Sequence, residues 1–477
     1  MTSLLTRRAV LNAGAAVAAG TAWPTLAAGP TRDVLVLGAG IGGLHAARIL
    51  QAAGVSVMVL EGSARVGGRC WTARDVPGRP ELGAGTVGAG YGRVRGNAAE
   101  LGVGLIAPPP GSREIMSPAN AAYSVYGQPV STQPWATSPL NRLPPAEQKL
   151  SPSQLIGYYL TRDAGLRDLT DWLKPEYARL DRMSLREYFS SLGASAEALR
   201  LMDAHCPGSN LDEANALHFV RRTVYYGHEA RAGKAHRIQG GTSALTDAMA
   251  ASLKEPVRLN SFVRHIEAKD KGVLVHCADG SRHTARTCIS TVPIPVLKGI
   301  RIDGAVPPVQ RQGWAAVRTT PMVQVFMNVK SPFWKNDGAS AEMWTDGHME
   351  RVFHLPVEND DNGILCGFFS GDGATAHKGM DARAIGRYVL EQMERIRPAS
   401  KGQLTVSHVH DWMALPTARG HMASWAPGDI GRYEAALQQP VGALHFASDH
   451  LGRSHVGLEA ACESAERAAL QVLDKLG

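Results

Sequence analysis

The stretch from Asp33 to Glu61 constrains this chain more than any other part of it. Val34 to Leu37 is a short apolar run suited to a strand buried on both faces. It leads at once into Gly38-Ala-Gly40-Ile-Gly-Gly43 and then into an Ala/Leu-rich helical segment, Leu44 to Ala53. Each glycine has a separate duty. Gly38 permits a tight turn, Gly40 lets backbone approach a pyrophosphate, and Gly43 lets the helix pack close to the strand. The helix then aims its free N–H groups at phosphate. A second apolar run, Val55 to Leu60, ends in Glu61, whose carboxylate suits a ribose diol and would repel a 2′-phosphate. A lone glycine motif is weak, but strand, turn, helix and distant acid together predict a dinucleotide site.

The residues that follow narrow the nucleotide. Glu61-Gly-Ser-Ala-Arg-Val-Gly67-Gly68-Arg69-Cys70-Trp71-Thr72 resembles the E-x-x-x-x-x-G-G-R-x-x-T signature of the flavin-containing amine oxidase family, flavoproteins related to monoamine oxidase and L-amino acid oxidase. The resemblance implies a resident FAD, with Gly68 close to the diphosphate and Arg69 supplying positive charge to it. Glu81-Leu-Gly83-Ala-Gly85-Thr86-Val resembles the family's segment beneath the flavin ring, where a side chain would collide. His236-Arg-Ile-Gln-Gly240-Gly241 resembles the return to the nucleotide domain. Val263 matches the position whose backbone holds adenine. Leu444-His-Phe-Ala-Ser-Asp449-His450 resembles the "F-A-G-E-H" end, which assigns Asp449 to the ribitol or pyrophosphate region and Leu458 of the closing helix to the cofactor as well.

The implied fold is α/β: a Rossmann-type FAD-binding domain built from discontinuous segments (32–110, 234–300 and 405–477) plus an α+β substrate domain (111–233 and 301–404). Residues 1–28, with Arg7-Arg8 ahead of an Ala/Gly-rich stretch too short to span a bilayer, resemble a twin-arginine signal peptide. An uncleaved N-terminal anchor is the alternative. The signal implies export by the twin-arginine machinery to the periplasm or beyond. Local patterns predict a strand over Val257–Ile266, a hairpin in which Cys277 faces His283, a strand over Met322–Val329, a capping box at Ser184–Glu187, and an amphipathic helix over Asp381–Ile396. The formal charge of +7 is scattered singly, which argues against a nucleic-acid partner. The six cysteines lack metal-like spacing and read as buried free thiols. His408 and His410 alternate on one strand without a third ligand in reach, so no metal is expected.

The reaction implied by the resemblance is hydride transfer from the carbon beside an amine or amino-acid nitrogen to the flavin, giving an imine, with dioxygen or a periplasmic carrier as electron acceptor. Relatives use a lysine that holds water at the flavin and two aromatic rings that flank the amine. Here the lysine position falls on Gln324, the first ring on Met422 with Trp425 nearby, and the second on Gly457. These departures keep two alternatives open: a desaturase acting on a C–C or C–O bond of a larger apolar substrate, and an FAD-binding protein without turnover. His421 stands where some relatives carry a flavin-linked cysteine, and Tyr225 and Tyr226 are candidates for the substrate channel. A homodimer is left open.

Overall fold

The computed structural model describes residues 32–108, 121–131, 133–162, 164–206, 208–357 and 360–477. The twin-arginine leader expected at 1–28 lies outside them. Two sheets organise the described chain. The seven-stranded one begins with β1 (Arg32–Leu37) and β2 (Val57–Leu60), parallel and in register Val34↔Val57 to Leu37↔Leu60. On its other side β1 pairs in parallel with the strand Arg282–Ser290. That long strand meets the hairpin strand Gly272–Cys277 along its first half and Leu444–Phe446, from the far end of the sequence, along its second.

Burial on both faces explains why β1 carries no polar alternation. Val34 and Val36 enter a core shared with α1 (Ile41–Ala52) and the closing helix Gly457–Leu476, whereas Leu35 and Leu37 enter a different core with Ile266 and Val275. The two helices touch closely at Gly42, where a Cβ would lie 2.9 Å from the Ala461 carbonyl oxygen.

The second sheet has six strands in the spatial order Leu404–Asp411, Met322–Val329, Asp360–Ser370, Arg351–Val357, Met343–Thr345 and Ala122–Ser124. The helix Ala382–Ile396 covers one face, burying Ile385, Val389 and Met393 against Val323, Val325 and Met327. Asp381 caps that helix through the Ala384 N–H at 2.7 Å, and Ser184 and Glu187 form the expected reciprocal cap. Short helices from Pro152 to Asp203 precede the long helix Ala216–Ala232, which runs back toward the nucleotide sheet.

Two local expectations change. The strand expected from Val257 starts at Val263, because Asn260 takes a left-handed φ of 57° and breaks the extended path. In the hairpin Val275, not Cys277, faces His283, and the Cys277 N–H donates to the Ser281 carbonyl. A tight turn with Gly280 at φ 85° sets this register. All six cysteines are free and buried. Among the described residues no helix is long and apolar enough to cross a membrane.

Candidate functional site

The site grows from the C-terminal tip of β1. Gly38 turns the chain at φ 101°, and a Cβ there would sit 2.7 Å from Thr291 Oγ1. A Cβ on Gly43 would lie 2.0 Å from the Gly38 carbonyl oxygen, so the helix can follow the strand this closely only with glycine. Helix α1 starts with no side-chain cap and no acid in its first turn, which leaves its N-terminal N–H groups to an incoming anion. A second glycine pair doubles back on this turn: Gly67 and Gly68 have φ of 100° and 57°, and the Gly67 N–H donates to the Ala39 carbonyl at 2.8 Å.

A cavity of about 320 Å³ runs along these loops. Its wall brings together Gly38, Gly40, Gly43, Glu61, Gly68, Arg69, Gly83, Gly85, Thr86, Val263, Met422, Asp449, Gly457 and Leu458. Gly40 and Gly85 reveal what the space is for. Their φ angles are ordinary, and added Cβ atoms would meet protein no closer than 4.0 and 3.7 Å, so neither glycine is demanded by the protein's own packing. Both border the cavity, where a methyl would narrow the groove, as expected for a cradle shaped around a flat or phosphorylated ligand.

Charged groups are fixed around this cradle. Glu61 is buried and receives the Ala39 N–H at 2.7 Å on one oxygen, and the Ser63 N–H and hydroxyl, both at 2.8 Å, on the other. Three of roughly four acceptor sites are thus filled, leaving capacity on the Ala39-bonded oxygen for a ribose hydroxyl. Arg69 and Asp449, expected to act separately on the cofactor, pair with each other through bonds of 2.6 and 3.1 Å, and Arg69 also donates to the His421 carbonyl at 2.7 Å. Burial alone would raise the Asp449 carboxyl, but Arg69, His450 and the hydrogen bonds from Arg69 and Ser448 outweigh it and hold the group well below the usual range. Burial, reinforced by Arg69 and Arg222, pushes His421 down to about 4, so its imidazole is neutral at neutral pH.

Several supports carry no local sequence signal. Glu81 accepts the Thr242 N–H at 2.8 Å and the hydroxyls of Thr242 and Thr72, tying the Gly68–Thr72 loop to the helix Thr242–Ala251. Arg65 donates to the Val66 and Gly68 carbonyls and stacks 3.7 Å over Trp71. Trp412 lines the cavity and donates to the Leu82 carbonyl at 2.9 Å, fixing the chain ahead of Gly83. Tyr91 and Tyr226 also line it.

Gln324 and Trp425 are not in the wall. Gln324 sits in the strand Met322–Val329 opposite Phe368 and His410, buried, with no hydrogen-bond partner on Oε1 among the described residues. Trp425 is 3 % exposed within the large core, which makes it a packing residue rather than a wall of the cavity. Tyr225 is likewise buried beneath Tyr226. His408 and His410 stack with ring centroids 6.0 Å apart. Among the described residues, donor atoms close enough to share a cation belong to His265, Glu267 and His276 on the hairpin, outside the cavity wall, and His276 already pairs with Glu267 at 2.8 Å.

A first strand paired in parallel on both sides and ending in a phosphate cradle, backed by an acid at the second strand tip, defines a dinucleotide-binding protein. The chain belongs to the family described as flavin-containing amine oxidoreductase, whose profile matches residues 41–473. The flavin-containing amine oxidase B of Sus scrofa is 26 % identical over 474 residues, an alignment covering 93 % of this chain and 86 % of the relative. The fold is shared with putrescine oxidase bound to putrescine, at TM-score 0.76 and 24 % identity over 93 % of this chain and 99 % of that one. It is shared too with cyclohexylamine oxidase from Brevibacterium oxydans, at TM-score 0.74 and 22 % identity over 94 % and 100 % of the two chains. The cofactor of the family is FAD, and the cradle fits it.

Proposed function

We propose that this chain oxidises the C–N bond of an amine or amino acid, and that the single cavity joining the Gly38–Gly43 cradle to the Met422 and Gly457 wall carries that reading. Bound FAD supplies the hydride acceptor. Gly38, Gly40, Gly43 and Gly68 would hold its diphosphate, Glu61 its ribose, and the Val263 backbone its adenine. The Arg69–Asp449 pair would present one fixed dipole to the ribitol side. Gly83, Gly85, Thr86 and Leu458 would leave flat space for the ring. Loss of hydride from the carbon and donation of the nitrogen lone pair leave a protonated imine, which water hydrolyses. Gln324 would hold a water through its unpartnered Oε1 from behind the wall. Anaerobic mixing with amines, amino acids, and apolar alkenes or alcohols tests the reaction: bleaching of the flavin by an amine, with ammonia or alkylamine appearing on turnover, is the expected result.

Met422 and Gly457 at the wall favour a second reading, since neither supplies a ring to flank an amine. Bleaching only by non-amines would move the reaction to a C–C or C–O bond of a larger apolar substrate. No bleaching by any compound would favour an FAD-binding protein without turnover. The division into an FAD-binding and a substrate domain belongs to the same proposal. So does export of the folded, loaded chain by the twin-arginine machinery to the periplasm or beyond, where dioxygen or a periplasmic carrier would take the electrons. Replacing Arg7 and Arg8 by lysine should retain the protein in the cytoplasm, and unchanged export would exclude that route. Elution of the loaded protein at twice the monomer mass would add the homodimer.

A further inference from the structure

Among the described residues Arg222 stands near this cavity with no carboxylate bonded to it; Arg65, in the wall, also lacks one but spends its donors on the Val66 and Gly68 carbonyls and lies over Trp71. Arg222 lies on the helix Ala216–Ala232, half-buried, with its guanidinium 3.4 Å from Met422 Sδ and 3.5 Å from the Tyr226 hydroxyl. Both of those residues line the cavity. A thioether is a weak acceptor, so the contact with Met422 leaves most of the five guanidinium donors without use. Among the described residues no carboxylate pairs with Arg222.

Its neighbours sharpen the contrast. Arg221, one residue earlier, is buried and held in place: its Nη2 donates to the Gly452 and His455 carbonyls at 2.7 and 2.8 Å, and the guanidinium stacks 4.0 Å over Trp172. Arg69 is matched by Asp449. His421 is neutral at neutral pH and adds no charge of its own. The acid on the same helix, Glu229, accepts the Gly90 N–H at 2.9 Å two turns away and braces that loop instead. The wall around Met422 and Tyr226 therefore carries a guanidinium with no carboxylate bonded to it. A partly desolvated guanidinium is costly to leave unpaired and is geometrically suited to a carboxylate through two parallel N–H···O bonds.

We propose that Arg222 is a specificity-determining residue that selects an amine carrying a carboxylate and disfavours one carrying a second ammonium. The inference rests on the amine-oxidising reading above and names its substrate class.

The test uses the FAD-loaded enzyme and four probes of matched length: pentylamine, 1,5-diaminopentane, 5-aminopentanoate and norvaline. Anaerobic flavin reduction gives each apparent Kd and limiting rate. One of the two carboxylate-bearing amines should bind at least tenfold more tightly than pentylamine, and the diamine more weakly than pentylamine. Arg222→Gln should erase at least tenfold of the carboxylate preference, chiefly through Kd, and Arg222→Lys should restore part of it. A wild-type preference for the diamine or the neutral amine would overturn the proposal. So would an unchanged preference ratio in Arg222→Gln, or an equal loss for all four probes accompanied by a shifted flavin potential, since that pattern assigns the guanidinium to the cofactor. Calorimetric binding of pentanoate to the oxidised enzyme separates this inference from the reaction itself. Binding lost in Arg222→Gln supports the anion site even if no amine is oxidised, and binding indifferent to the substitution overturns it.

Discussion

Replacing Glu61 by glutamine changes one oxygen for an amide nitrogen and nothing in shape, yet the structure leaves that nitrogen nowhere to go. One carboxylate oxygen accepts the Ala39 N–H at 2.7 Å and the other accepts the Ser63 N–H at 2.8 Å. Both donors are backbone and cannot reverse. An amide offers a single acceptor oxygen, so either orientation sets an NH₂ against an N–H in a buried site. The loss is at least one charge-assisted hydrogen bond, worth about 2 kcal/mol. If it falls on Ala39, the middle of the Gly38–Gly40 turn loses its anchor, and FAD must restore the turn as it binds. About 2 kcal/mol corresponds to a roughly 30-fold rise in the Kd for FAD. Titrating apoprotein with FAD and following flavin fluorescence quenching measures it. The melting temperature of the apoprotein should fall as well. A Glu61→Gln protein that binds FAD with unchanged affinity and melts with the wild type would refute the argument that both oxygens are committed.

Glu350 makes the opposite prediction from a similar-looking site. Burial raises its carboxyl to about 7 against the pull of Arg351, and the group receives the Ser370 N–H and hydroxyl. The folded protein therefore holds a proton that the unfolded chain releases between its ordinary value and about 7, so stability falls as pH rises through that window. Glu350→Gln should flatten this dependence in melts at pH 5 and 8, because the Ser370 hydroxyl can rotate to accept from the new amide. Asp449→Asn weakens the charge-assisted hydrogen bonds to Arg69 in a partly exposed pair and should cost about 2 kcal/mol at neutral pH, read by denaturant unfolding of the loaded protein. Gly43→Ala and Gly85→Ala should separate fold from ligand. The first drives a Cβ to 2.0 Å from backbone and should lower apoprotein stability, whereas the second meets only ordinary contacts and should lower FAD affinity while the apoprotein melts as before.

Legibility in this sequence follows the range of the physical constraint. The β1 and α1 unit is readable because strand, turn and helix are contiguous, and glycine is the only residue that tolerates φ 101° at Gly38 and the near-contact at Gly43. The strand Met322–Val329 and the cap at Asp381 are readable for the same local reason. The hairpin register is not, because it depends on whether the Ala278–Ser281 turn closes at Gly280, a choice that the turn's composition alone does not encode.

The side-chain site divides along the same line, and Gln324 shows why. A motif can place a residue on a strand, but the face it presents is readable only when burial alternates. In Met322–Val329 seven of the eight residues are buried, so no period-two pattern tells the cavity side from the core side, and Gln324 falls behind the wall. Arg69 and Asp449 fail differently. Each is correctly a wall residue by its local motif, yet 380 positions separate them, and neither motif reveals that the charge of one cancels the charge of the other. That cancellation has a functional consequence. It removes Arg69 from the pool of free cations around the cavity, so a carboxylate-bearing substrate would turn instead to Arg222, on a helix with no motif at all, beside Met422 and Tyr226.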